Sequence, residues 1–83
     1  MVSRVKAKIV KGAIKEEKVA YIKDVSGEVV EVIVGSSQAG KDDVEVGEVG
    51  RDEDKVLIEL PRESTRGYWR MWVNRKQLVG GRK

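Results

Sequence analysis

Branching at Cβ restricts this chain more than any other feature of its sequence. Fifteen valines and five isoleucines stand against three leucines in 83 residues. Two heavy substituents on Cβ stiffen χ1 and suit a pleated strand better than a helix. Their order along the chain agrees. In Arg4-Val5-Lys6-Ala7-Lys8-Ile9 basic and apolar residues exchange with period two, which sends Val5, Ala7 and Ile9 toward a core and Arg4, Lys6 and Lys8 toward solvent. Lys18–Lys23 (KVAYIK) and Glu28–Val34 (EVVEVIV) read as two further strands joined by the turn residues Asp24-Val25-Ser26-Gly27.

The rest of the chain continues in this way. Residues 35–43 (GSSQAGKDD) read as a loop and Val44-Glu45-Val46 as a short strand. Gly47, Gly50 and Arg51-Asp52-Glu53-Asp54 read as a turn, Lys55–Leu60 (KVLIEL) as a strand that Pro61 ends, and Tyr68–Val73 (YWRMWV) as the last long strand. Residues 76–80 fit one helical turn and a short closing strand. Short strands with turns at this spacing predict one all-β domain over residues 1–83, with five or six mostly antiparallel strands, and residues 80–83 as a flexible basic tail. The competing fold is α+β, with a short helix near residues 12–18 in place of a charged turn.

The segment 55–79 resembles the end of small SH3-like barrels. There an aromatic-ended hairpin (KVLIEL, PRESTRG, YWRMWV) runs into a single 3₁₀ turn and a short closing strand, here Leu78-Val79. Many of those barrels carry a proline where this chain has Asn74. The resemblance covers about a third of the chain. It implies an SH3-like barrel, and it places the chain beside the small basic ribosomal and archaeal chromatin proteins, which bind nucleic acid through a sheet face or its loops. A KOW-type motif is absent, so no individual residue role follows from the resemblance.

Composition narrows the function. With no cysteine and no histidine, the chain has no disulfide and no thiolate or imidazole zinc site, and Ser26, Ser36, Ser37 and Ser64 have no imidazole to activate them. No Gly-rich phosphate loop is present. An enzyme is therefore not expected, and neither is a cofactor. Asp42-Asp43 and Asp52-Glu53-Asp54 lack the spacing of a calcium loop and read as solvated turns. The first eleven residues lack the apolar stretch of a signal peptide, and no apolar run approaches the roughly 20 residues of a membrane span. A cytoplasmic protein without a membrane partner is the expectation. Charged residues make up 37% of the chain, with one Asn and two Gln, the balance of thermophilic, typically archaeal, proteins.

Charge distribution supplies the functional reading. The net charge is +3, but residues 1–23 carry seven basic and two acidic groups, residues 24–60 three basic and eleven acidic, and residues 61–83 seven basic and one acidic. If the two ends meet, one face is basic and attracts polyanions. The candidate contacts are Arg4, Lys6, Lys8 and Lys11, which form a comb of cations; Arg62, Arg66, Arg75 and Lys76; Arg82 and Lys83 of the tail; and Tyr68, Arg70 and Trp72, which share one face of the aromatic strand. Aromatic rings stack on unpaired bases and arginine adds phosphate contacts. The opposite face, Trp69, Met71 and Val73, is assigned to the core. Bland readings stand beside these: aromatics as core fillers in a chain without phenylalanine, the comb as a charged edge that discourages aggregation, and the tail as a frayed end. Scarce Asn and Gln argue against base-edge readout. The expected function is sequence-non-specific nucleic-acid binding, with RNA in a ribosomal setting ahead of duplex DNA, where apolar side chains of a chromatin protein wedge between base steps. A protein-interaction module anchored on Tyr68–Val73 or on the acidic middle is the alternative from another class.

Overall fold

The computed structural model describes residues 2–79. It contains eight strands and two single 3₁₀ turns, with no α-helix among the described residues. The strands are β1 (Val2–Lys6), β2 (Lys8–Lys11), β3 (Glu17–Lys23), β4 (Val29–Gly35), β5 (Asp43–Asp52), β6 (Lys55–Glu59), β7 (Arg70–Asn74) and β8 (Leu78–Val79). They build a five-stranded sheet of order β7-β6-β5-β1-β8 and a three-stranded sheet of order β2-β3-β4, with every pairing antiparallel. The all-β expectation holds, and the helical alternative for residues 12–18 does not. Residues 12–16 form a turn in which the Gly12 N–H bonds the Glu17 carbonyl at 3.1 Å. A Cβ on Gly12 would lie 2.8 Å from that oxygen, so only glycine permits this close approach.

The first strand departs from its predicted continuity. It breaks at Ala7, whose N–H bonds the Asp42 carbonyl at 3.0 Å. Before the break Val5 pairs with Val44; after it Lys8 pairs with Tyr21. One N-terminal segment thus serves both sheets. Strand β5 departs in the other direction. Predicted as three residues followed by a turn, it runs for ten, through Gly47 and Gly50, and only Glu53-Asp54 turn. The glycines pair opposite Glu59 and Leu57, and the register slips by one residue at Val49. Such a bulge bends a strand and increases its twist, which lets a long strand continue.

The core lies between the sheets. It comprises Val5, Ala20, Ile22, Val30, Val32, Val34, Val44, Val46, Val56, Ile58, Leu60, Met71 and Val73. These are the inward positions of the period-two pattern, and no aromatic ring is among them. The turns are pinned by side chains. Asp24 Oδ1 accepts from the Ser26 N–H, the Ser26 hydroxyl and the Glu28 N–H, while Gly27 adopts φ +93°. These hydrogen bonds, led by the one from Ser26, hold the Asp24 carboxyl below its ordinary pKa. In the loop before β7, the hydroxyl of buried Ser64 accepts from the N–H groups of Arg66 and Tyr68. The same loop reaches the edge of the second sheet, where the Thr65 N–H bonds the Glu31 carbonyl at 3.0 Å. Asn74 and Gln77 cap the second 3₁₀ turn, Arg75–Gln77, reciprocally: Asn74 Oδ1 accepts from Lys76 N–H, and Gln77 Oε1 accepts from Asn74 N–H.

Two measurements probe this frame. Ile22→Val removes one methylene from a fully buried side chain and is expected to cost about 1 kcal/mol in chemical denaturation. Because the folded-state pKa of Asp24 is depressed, its contribution is present above the unfolded value of 3.8 and is lost as pH falls through the folded value. The stability advantage of the wild type over Asp24→Asn is therefore expected to be full near pH 6 and to shrink on acidification below about pH 4.

Candidate nucleic-acid interface

The break at Ala7 opens a groove. Lys6 and Lys8 leave the chain on either side of the break, and both are exposed. With Ala7, Tyr21, Lys23, Lys41, Asp42, Asp43, Gln77 and Val79 they line an open groove of about 980 Å³. A second hollow of about 510 Å³, lined by Lys8, Val10, Tyr21, Lys23 and Val29, shares Lys8, Tyr21 and Lys23 with it. Tyr21 therefore stands between the two hollows. Its hydroxyl donates to Glu31 Oε2 at 3.3 Å, and Glu31 in turn takes hydrogen bonds from Thr65.

The charge of the groove is uneven. Lys6, Lys8, Lys23 and Lys41 make no ion pair among the described residues, whose four ion pairs all use arginine. Asp43 is taken up by Arg4, with Nη2–Oδ1 at 2.9 Å. Asp42 alone is left against four lysines. The acidic residues Glu45 and Glu59 lie in a separate shallow depression beside Gln38, Gly47 and Pro61.

The predicted comb is therefore divided. Lys6 and Lys8 line the groove, half-buried Arg4 is withdrawn into its pair with Asp43, and Lys11 lines a different hollow at the 12–18 turn. The two basic ends do meet, since β1 pairs with β8, but two of the four described arginines of the C-terminal block are taken up in ion pairs. Arg66 pairs with Glu28 at 2.9 Å, and Arg70 approaches Glu59 at 3.6 Å. The Arg62 guanidinium lies near Gly35. Arg75 and Lys76 are exposed in the 3₁₀ turn whose Gln77 side chain donates to the Lys23 carbonyl at 2.7 Å, beside the groove. Arg82 and Lys83 lie outside the described residues.

Tyr68, Arg70 and Trp72 do share a surface, with Asp24, Val25 and Glu28 of the β3–β4 turn at its border. The Val25 N–H bonds the Trp72 carbonyl at 3.0 Å and ties that turn to β7. Met71 and Val73 are buried, as the alternation requires. Trp69 is not in the core: it is 54% exposed, more than Tyr68 or Trp72. The strand begins only at Arg70, and Trp69 lies in the bend before it. Leu60, whose N–H bonds the Trp69 carbonyl, is buried there instead.

Three groove residues, Tyr21, Lys23 and Lys41, escaped the sequence reading as contacts. For the first two a signal was present: if Ala20 and Ile22 face inward, Tyr21 and Lys23 face outward. Lys41 carried no such signal. Among the described residues no three acidic side chains converge to hold a metal ion, and no helix is long and apolar enough to cross a membrane. Comparison with protein-family models, with curated proteins and with solved structures finds no match to this chain.

The position of Trp69 is open to a direct check. A core tryptophan replaced by alanine costs about 3–5 kcal/mol; Trp69→Ala is expected to cost less than about 1 kcal/mol in urea denaturation.

Proposed function

We propose that this chain is a sequence-non-specific nucleic-acid-binding domain, with RNA its preferred target, and that the groove at the sheet junction is its binding surface. The supporting observation is the set of four lysines in that groove without carboxylate partners. No described lysine is ion-paired; what sets this groove apart is that four of them converge there, while Asp43 is occupied by Arg4 and only Asp42 is left as a counter-charge. Unpaired cations lining one concavity concentrate a positive potential and attract a phosphate backbone. RNA is favoured because a chain of net charge +3 with an acidic middle is under-charged for coating duplex DNA.

The same reading extends to the fold. The β5-β6-β7 meander, the 3₁₀ turn and the return of β8 onto β1 support an SH3-like barrel, elaborated by β2-β3-β4 between its first two strands. Asn74 fills the place of the proline by capping the 3₁₀ turn through its side chain.

One observation favours a second reading. Trp69, Tyr68 and Trp72 are all exposed while Arg66 and Arg70 beside them are paired. An aromatic surface with its charges neutralised fits a protein partner better than a polyanion.

Anisotropy of a fluorescein-labelled RNA, titrated at several salt concentrations, tests the first reading. Four neutralised phosphates give a log–log slope of about −3, so affinity is expected to fall about 60-fold between 50 and 200 mM salt. Lys6→Ala and Lys41→Ala are each expected to flatten that slope by about 0.7. Absence of RNA binding at 20 mM salt, or a slope near zero, overturns the proposal and leaves the aromatic surface as the site to pursue.

A further inference from the structure

We infer that the groove accepts a single strand and not a duplex, with one unpaired base stacked on the ring of Tyr21. This inference rests on the nucleic-acid reading and specifies its ligand. It starts from the outer face of the β2-β3-β4 sheet. In the strand register Lys8 stands directly opposite Tyr21, and Lys23 stands opposite Val29. Tyr21 and Lys23 are two residues apart on β3 and so share a face. A half-buried aromatic ring thus has an exposed lysine, Lys8, across the strand on one side and a second, Lys23, two residues along its own strand, with Glu31 across the strand on the other side and Val10 and Val29 lining the same hollow. Val29 is 52% exposed.

Phosphates alone do not call for such a floor. A duplex presents its sugar–phosphate backbone to a protein surface and keeps its base faces stacked inside, where an aliphatic and aromatic floor gains nothing from it. An unpaired strand offers both parts at once: base faces for the ring and the valines, and phosphates for the lysines that line the same hollows. Penetration of a duplex is excluded by position. Tyr21 is a half-buried lining residue in the middle of β3, not on a protruding tip, and cannot wedge between stacked pairs. The ring is also held in advance. Its hydroxyl bonds Glu31, and Glu31 is fixed by the Thr65 N–H and hydroxyl from the facing loop. A ring already ordered loses little entropy when a base covers it.

The site has room for more than one nucleotide. The two hollows are adjacent, with Lys8, Tyr21 and Lys23 lining both. Lys6 and Lys41 line only the larger one, where they are available to the phosphates that follow the stacked base.

The test compares fluorescein-labelled U10, dT10 and a ten-base-pair DNA duplex by anisotropy, on the wild type and on Tyr21→Phe, Tyr21→Ala, Tyr21→Leu and Lys8→Ala. The single strands are expected to bind at least about ten-fold more tightly than the duplex. Tyr21→Phe keeps the affinity within about three-fold. Tyr21→Ala loses about 5- to 150-fold, the range that one stacked base supplies, without changing the salt slope. Tyr21→Leu retains an apolar body and serves as the probe if circular dichroism shows the alanine variant unfolded; it is expected to lose a similar factor. Lys8→Ala flattens the slope by about 0.7. The ratio of U10 to dT10 reports the ribose hydroxyl and the thymine methyl together. Equal or tighter duplex binding, or a folded Tyr21→Leu with wild-type affinity, overturns the single-strand inference; if Lys8→Ala still flattens the slope, the nucleic-acid reading survives. No binding of any of the three at 20 mM salt overturns both.

Discussion

One backbone hydrogen bond, from the Ala7 N–H to the Asp42 carbonyl, lets a single N-terminal segment belong to two sheets. Residues 2–6 need β5 and β8 as partners, and residues 8–11 need β3. An uninterrupted strand would have to choose. The break allows β1 to sit between two neighbours in the larger sheet while β2 forms an edge of the smaller one. The lysine-lined groove follows from that division. The two lysines that flank the break line one groove, the loop carrying Lys41 and Asp42 is held against it, and Tyr21 and Lys23 of β3 complete its lining.

The core between the sheets is made largely of one side-chain type. Eight of its thirteen buried members are valine, and the four large aromatics of the chain are all outside it. Two sheets joined by short, stiff side chains interdigitate closely, with few rotamers lost on folding. The consequence is outward: rings that a larger core would absorb are left at the surface. Tyr21 emerges among lysines, and Tyr68, Trp69 and Trp72 emerge among paired arginines. Two aromatic surfaces, one among unpaired lysines and one among paired arginines, result from one packing choice.

Much of this was legible in the sequence. Period-two alternation located β3, β4, β6 and the buried Met71 and Val73, and the turn residues at 24–27 marked a hairpin that the structure closes with Asp24. Three features were not. Gly47 and Gly50 look like punctuation, yet a bulge carries the strand through both, because glycine in a strand signals either a turn or a bulge and sequence does not separate the two. Trp69 follows the alternation only if the strand starts before it; the loop held by Ser64 delays that start by one residue too many. The groove depends on Ala7 meeting Asp42, thirty-five positions away, and no local pattern encodes such a contact. The cation comb was real as a pattern but was divided by ion pairing that only the fold creates, above all Arg4 with Asp43.

The hydrogen bond from Thr65 to Glu31 bears on more than the orientation of Tyr21. Strand β4 is an edge of its sheet, and its sequence, Val29-Val30-Glu31-Val32-Ile33-Val34, is the most aggregation-prone hexapeptide in the chain: β-branched almost throughout, with one charge and no proline. An open edge of that composition templates its own copies. The loop that carries Thr65 lies against it and occupies the Glu31 carbonyl, as a gatekeeper held in place by Ser64. The colloidal behaviour of this protein is therefore tied to a loop outside both sheets, because opening it uncovers the Glu31 carbonyl on the edge of β4.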